Sequence, residues 1–150
     1  TPIIKEDVAV VPGIDGRKMS KSYGNTIPLF GNDEEIGKAV MSIVTDSKTP
    51  EEPKDPKICN IFALHKLFSA NALPDIEKRY SKGGMGYKES KEILAENILA
   101  FIRPMRDRRN ALASDRGHIL RILKNGGEIA RERGLAKMRT VRERIGLVIA

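Results

Sequence analysis

After one short extended run, the apolar residues of this chain recur mostly at helical spacing. Val8 to Val11 is a β-branched stretch closed by Pro12-Gly13, the pattern of one buried strand. Residues 12–32 are rich in Gly, Ser and Asn and read as a long loop. Ile36, Ala39, Val40, Ile43 and Val44 then share one helical face, with Asn32 or Asp33 placed to cap it. Three prolines between Thr45 and Pro56 mark a connector. Ile58, Ile61, Phe62, His65 and Phe68 form the next stripe, ended by Asn71 and Pro74, and a short helix is expected over 74–81. Lys82 to Gly86 lacks both a preceding strand and a following Gly-Lys-Ser/Thr, so its glycines read as a helix–helix connection, not a phosphate loop. Leu94, Ile98, Phe101, Met105 and Leu112 predict a long helix that Pro104 should kink or interrupt. Ile119 to Leu123 opens a last region that Gly126-Gly127 would break. Met138, Val141, Ile145 and Val148 predict the buried seam of a final helix. The fold class expected is mainly α: a helical bundle attached to the edge of something else.

Composition narrows the classes. With 40% apolar and 31% charged residues in 150, the chain has material for a core and is not of the disordered kind. No apolar stretch approaches the ~20 residues that span a bilayer. The start lacks a signal peptide's basic and apolar regions. It also lacks Met and begins within a sequence that reads as continuing upstream. The one cysteine, Cys59, excludes an internal disulfide and a cysteine-based zinc site, and reads as a small buried residue. His65 and His118 have no metal-ligand companions at workable spacing and read as core or cap residues.

Charge changes the picture more. Residues 1–100 hold 14 Lys+Arg and 15 Asp+Glu, a balance of −1, whereas residues 101–150 hold 13 and 5, a balance of +8. Such an excess at one end suits a polyanion, because each neutralised phosphate releases condensed counterions. A membrane-surface helix would need aromatic residues that are nearly absent there. At 100° per residue, Arg133, Lys137 and Arg144 lie within about 40° of one another. The apolar seam lies about 60–140° round the same helix. Arg103, Arg106 and Arg109, at i, i+3 and i+6, would add a second basic patch beside Asn110. The competing reading is a solvated face, with Arg139 or Arg142 paired to Glu143.

The chemically informative segment is Lys18-Met19-Ser20-Lys21-Ser22. Two ammonium groups alternating with hydroxyls, in a loop flanked by Gly13, Gly16 and Gly24, can follow a triphosphate and neutralise charge on departing pyrophosphate. All five letters match KMSKS, the second signature of class I aminoacyl-tRNA synthetases. The wider run from Pro12 to Asn25 resembles the tryptophanyl-tRNA synthetase family, bacterial or organellar type. So do Val44-Thr45-Asp46-Ser47 and the Arg103-Pro-Met-Arg-Asp-Arg-Arg-Asn-Ala-Leu112 segment. The resemblance runs from about residue 8 to residue 147.

The resemblance implies the C-terminal half of such an enzyme. Residues 1–32 would end a Rossmann-type catalytic domain, and 33–150 would form its α-helical tRNA- and anticodon-binding region. Tryptophan would attack the α-phosphate of Mg-ATP, and the activated acyl group would pass to tRNA(Trp). By motif match, Lys18 and Lys21 would stabilise pyrophosphate, Met19 would anchor the loop, and Ser20 and Ser22 would donate hydrogen bonds. The backbone near Ala9 or Val10 would touch adenine. Arg103, Arg106, Arg109, Asn110, Arg133, Lys137 and Arg144 are the candidate tRNA contacts. The implied enzyme is a homodimer of the cytoplasm, or of the mitochondrial matrix in a eukaryote, using ATP with Mg2+ and no protein-bound metal. A HIGH-like first signature is not in these residues, so this chain alone is expected to be inactive. Rival readings are a tyrosyl-type synthetase fragment, a freestanding RNA-binding helical module, and a scaffolding piece without nucleic-acid function.

Overall fold

The computed structural model describes residues 10–147. The chain divides into two compact units between Arg106 and Asp107. Its helices are α1 (Asp33–Met41), α2 (Asn60–Phe68), α3 (Leu73–Lys82), α4 (Tyr87–Ser114) and α5 (Arg116–Arg144). A 3-10 turn, Lys21–Tyr23, precedes them. The mainly α expectation holds.

The first unit starts from a well-made helix end. Asn32 caps α1 by accepting from the Glu35 N–H, and the Glu35 carboxylate returns the bond to the Asn32 N–H. This reciprocal box satisfies two donors that a helix start leaves open. At the other end, Lys91 of α4 donates to the carbonyls of Met41 and Ile43, at 2.9 and 2.7 Å. Ile36, Val40 and Ile43 pack with Ile61 and Leu64 of α2 and with Leu94, Ile98 and Ile102 of α4. A second cluster joins Phe62, Ile76, Tyr80 and Met85. The connector between α1 and α2 is pinned by Lys54, which is buried and donates to the carbonyls of Thr49 and Glu52. A polar chain also runs through the core: the His65 ring meets Ser69 and Ser90, and the Ser90 hydroxyl meets that of Tyr80. No buried side-chain polar atom among the described residues lacks a partner.

Several expectations change here. Of the supposed strand, Val8 and Ala9 lie outside the described residues, and Val10 is 57% exposed. The described residues contain no strand, only the bridge Pro12–Lys18. Val11, at the end of that run, is partly buried against the main core and accepts from the Met19 N–H. Val44 and Ile58 lie just outside α1 and α2 and are exposed. On α4 the buried row is Ser90, Leu94, Ile98 and Ile102, while Phe101, Met105 and Leu112 are exposed. Phe101 packs edge-on against Phe68, with ring centroids 5.4 Å apart. Pro104 lies inside α4 without interrupting it. The carbonyl that loses its bond is that of Ala100, an exposed residue within reach of water.

In the second unit, Asp115 caps α5 by accepting from the His118 N–H at 2.8 Å. Gly126 and Gly127 do not break the helix, each costing only about 1 kcal/mol against Ala among good helix formers. The expected buried seam is not observed: α5 has no buried residue, Met138 and Ile145 are exposed, and Val141 is only partly covered. Val148 lies outside the described residues. Helical spacing establishes that apolar groups share a face, not that anything covers it.

Candidate functional site

The lysine loop is an ordered hairpin. Its base is set by the Met19 N–H donating to Val11 O at 2.9 Å and the Gly13 N–H donating to Arg17 O at 2.7 Å. Gly13 is required for close approach: a Cβ there would lie 2.4 Å from Asn25 Nδ2. Gly16, at φ +80°, turns the tip, where a Cβ would meet the Asn60 side chain at 2.6 Å. Asp15 receives the Arg17 N–H and Nε–H at 3.0 and 2.7 Å, and Arg17 lies over the Tyr23 ring. The Asn25 amide beside Asp15, with Arg17 adding to it, holds that carboxyl below its ordinary range.

Asn25 organises the interior of the loop. It is 2% exposed, accepts from the Ser20 N–H at 2.8 Å, and donates to Asp15 Oδ1 at 2.7 Å and Lys18 O at 3.2 Å. The Ser20 and Ser22 hydroxyls bond each other at 2.8 Å. Lys18 and Lys21 are exposed, and neither ammonium has a carboxylate partner among the described residues. Met19 is half-buried. The hairpin thus presents two exposed cations and two hydroxyls on a backbone tied down from behind. Of the expected adenine contacts, Ala9 lies outside the described residues, and Val10 stands exposed beside the hairpin base.

The hairpin is fastened to the helices. The Val44 N–H donates to Ile14 O at 2.8 Å, and Asn60 Nδ2 donates to Val44 O at 3.5 Å. Thr45 and Asp46 of the tetrapeptide noted in the sequence line an adjacent cleft of about 300 Å³ with Asn60 and Tyr87. The Tyr87 hydroxyl donates to Asp46 at 2.6 Å. That bond comes first among the causes that lower the Asp46 carboxyl, and burial first among those that raise the Tyr87 phenol.

The basic candidates separate. Arg106, with a side chain only 17% exposed, donates to Gly31 O at 2.7 Å and forms a short ion pair with Asp33, which Arg103 joins at 3.3 Å. Both arginines therefore tie α4 to the start of α1, and together they hold the Asp33 carboxyl below its usual range, Arg106 first. Arg109 and Asn110 are exposed in the second unit. Arg133, Lys137 and Arg144 are exposed on α5, along which no ion pair forms among the described residues, Arg139, Arg142 and Glu143 included. Sequence reading missed Asp15 and Asn25, whose only signal was an Asp and an Asn at the two ends of a glycine-flanked loop.

The hairpin carries, as Lys18 to Ser22, all five letters of the KMSKS signature of class I aminoacyl-tRNA synthetases. The family model for class I tRNA synthetases of the W and Y type matches residues 2–103, and the chain belongs to that family. It is 43% identical over 145 residues to a tryptophan–tRNA ligase of Campylobacter jejuni, covering 96% of this chain and 46% of that protein. It is 42% identical over 146 residues to one of Bordetella parapertussis, covering 97% of this chain and 32% of the relative. The fold matches a crystal structure of tryptophanyl-tRNA synthetase from Campylobacter jejuni complexed with ADP and tryptophan, with TM-score 0.84 and 43% identity over 95% of this chain and 45% of the other. The chain thus spans less than half the length of these relatives.

Proposed function

We propose that this chain is the C-terminal part of a tryptophan–tRNA ligase, supplying its nucleotide-phosphate loop and its tRNA-binding helices. The observation that carries the reading is the pair Lys18 and Lys21, exposed and without carboxylate partners among the described residues, on a hairpin whose backbone is tied by Asn25. The tryptophan carboxylate attacks the α-phosphate of ATP, giving tryptophanyl-adenylate and pyrophosphate. Charge grows on the pyrophosphate as the bond breaks, and ammonium groups held in place need little reorganisation to meet it. Lys21 is the first choice for that role and Lys18 the second. The Ser20 and Ser22 hydroxyls and free loop N–H groups supply uncharged donors. Met19 anchors the loop, and the backbone at Ala9 or Val10 meets adenine. Magnesium arrives with ATP as part of the substrate.

Residues 1–32 close the catalytic domain in this reading, and 33–150 form the tRNA-binding region. Arg109, Asn110, Arg133, Lys137 and Arg144 are exposed, as contacts to tRNA(Trp) would require. Arg103 and Arg106 reach it only through whatever their bonds to Asp33 leave available. The whole enzyme works as a homodimer in the cytoplasm, or in the mitochondrial matrix of a eukaryote. Among the described residues, no helix is long and apolar enough to cross a membrane.

The test is Lys21→Ala in the intact ligase. One well-placed donor to developing charge is worth ~2.7–4 kcal/mol, so adenylate formation should slow by ~10²–10³-fold with tryptophan binding nearly intact. An unchanged kcat with a raised KM for ATP would instead make Lys21 a uniform binding group.

A further inference from the structure

We infer that Asn25 is the positioning residue of the lysine loop, its buried carboxamide fixing the backbone on both sides of Met19 so that Lys18 and Lys21 meet the phosphates in one geometry. The inference rests on the proposed nucleotide role of the hairpin and assigns the group that holds it ready.

The hydrogen-bond ladder of the hairpin is too short to do this alone. It consists of the single bridge between Pro12 and Lys18, made by the Met19 N–H to Val11 O and Gly13 N–H to Arg17 O bonds, and no bridge lies beyond it among the described residues. Loop backbone with so little ladder moves freely unless side chains replace the missing bonds. Asn25 replaces them. Its Oδ1 takes the Ser20 N–H at 2.8 Å, its Nδ2 reaches Lys18 O at 3.2 Å, and its own carbonyl takes the Ile14 N–H at 3.0 Å. Met19 is therefore held directly by Val11, and its two neighbours by one amide.

The second Nδ2 hydrogen goes to Asp15 Oδ1 at 2.7 Å, and Asp15 is oriented in turn by Arg17. Each polar atom of the carboxamide thus has a defined partner, and at 2% exposure water is kept from competing. Asn25 touches none of the reacting groups. It acts through the loop backbone, bonding the Lys18 carbonyl and the N–H of Ser20, the residue before Lys21, while the lysine side chains stay in solvent.

Asn25→Asp keeps the shape and the acceptor for Ser20, but removes both donors and places a second carboxylate against Asp15. In the intact ligase it should lower kcat for tryptophan-dependent pyrophosphate exchange by ~10–10²-fold, the scale of a misplacement near 1 Å, with the KM for tryptophan unchanged. In a Lys21→Ala background the same change should cost much less, because the principal group being positioned is already gone. The exchanged pair Asp15→Asn with Asn25→Asp restores one donor–acceptor bond and should recover part of kcat. Asn25→Ala should speed amide hydrogen exchange at Ser20. Wild-type kcat for Asn25→Asp, or losses that multiply fully with Lys21→Ala, overturns the positioning role and leaves the nucleotide reading standing. A wild-type rate for Lys21→Ala itself brings down both.

Discussion

His65 should make the first unit acid-sensitive from about pH 6.5 downward. The ring is fully buried between α2 and α4. Asn97 Nδ2 donates to the Ser69 hydroxyl, which stands 2.7 Å from His65 Nδ1, and Nε2 stands 3.2 Å from Ser90 O. The Ser90 hydroxyl also lies 3.0 Å from Nε2, and a neutral ring with its hydrogen on Nε2 and Nδ1 accepting from Ser69 satisfies all of these partners, since a carbonyl only accepts. Its polar neighbours Ser69, Ser90, Tyr80 and Asn97 bring no carboxylate to balance a second proton. Burial accordingly drives its pKa from 6.5 to about 4, against a smaller opposing effect of the Ser90 carbonyl.

The sign follows from which state holds the proton. Below pH 6.5 the unfolded chain takes up a proton that the folded one refuses, so stability falls with pH from about 6.5 to about 4. Linkage between those values gives a loss of roughly 2 kcal/mol at pH 5 relative to pH 7.5, and roughly 3 kcal/mol at pH 4. The measurement is urea unfolding at pH 7.5, 6 and 5 for the wild type and His65→Gln. Gln retains a donor for Ser90 but has no site that titrates. The variant should be weaker at pH 7.5 yet lose almost nothing more by pH 5. The lowered carboxyls of Asp33 and Asp46 titrate lower still and affect both proteins alike. Parallel pH dependences for the two proteins would refute the reasoning.

Two further outcomes test the helices. Replacing Arg133, Lys137 and Arg144 together with Gln should leave helicity intact but weaken tRNA binding equally for cognate and non-cognate species, since phosphate contacts carry little sequence information. Filter-binding titrations at several salt concentrations should show a log–log slope shallower by about 0.7–0.9 for each phosphate that is no longer neutralised, and an unchanged slope would reduce the stripe to a solvated face. Asn32→Ala should cost about 1 kcal/mol in urea unfolding through loss of the α1 capping box. Adding Glu35→Ala should then cost less than it does alone, because the two bonds form one reciprocal unit.

The sequence by itself determined what short-range chemistry settles. Asn32 and Asp33 marked the start of a helix, and the structure takes Asn32 as the cap, with Glu35 returning the bond. Pro74 and the glycines at 83, 84 and 86 punctuate the chain where α3 begins and where α3 passes to α4. The lysine–serine loop was legible because its letters carry the chemistry, and the family match agrees with it. Other features depended on which surfaces meet. Periodicity pointed to Phe101 and Met105, whereas the approach of α1 and α2 buries the row that runs through Leu94 and Ile98 to Ile102. The same ambiguity left the apolar face of α5 exposed, because a stripe records what a helix could bury and a neighbour decides whether it does. Arg106 shows the limit for charge: a basic spacing that suits phosphate is, in three dimensions, bonded to Gly31 and Asp33. Asn25 was hidden for a related reason, since its role comes from closing a hairpin onto Lys18 and Ser20, bonds that exist only once the loop has turned back on itself.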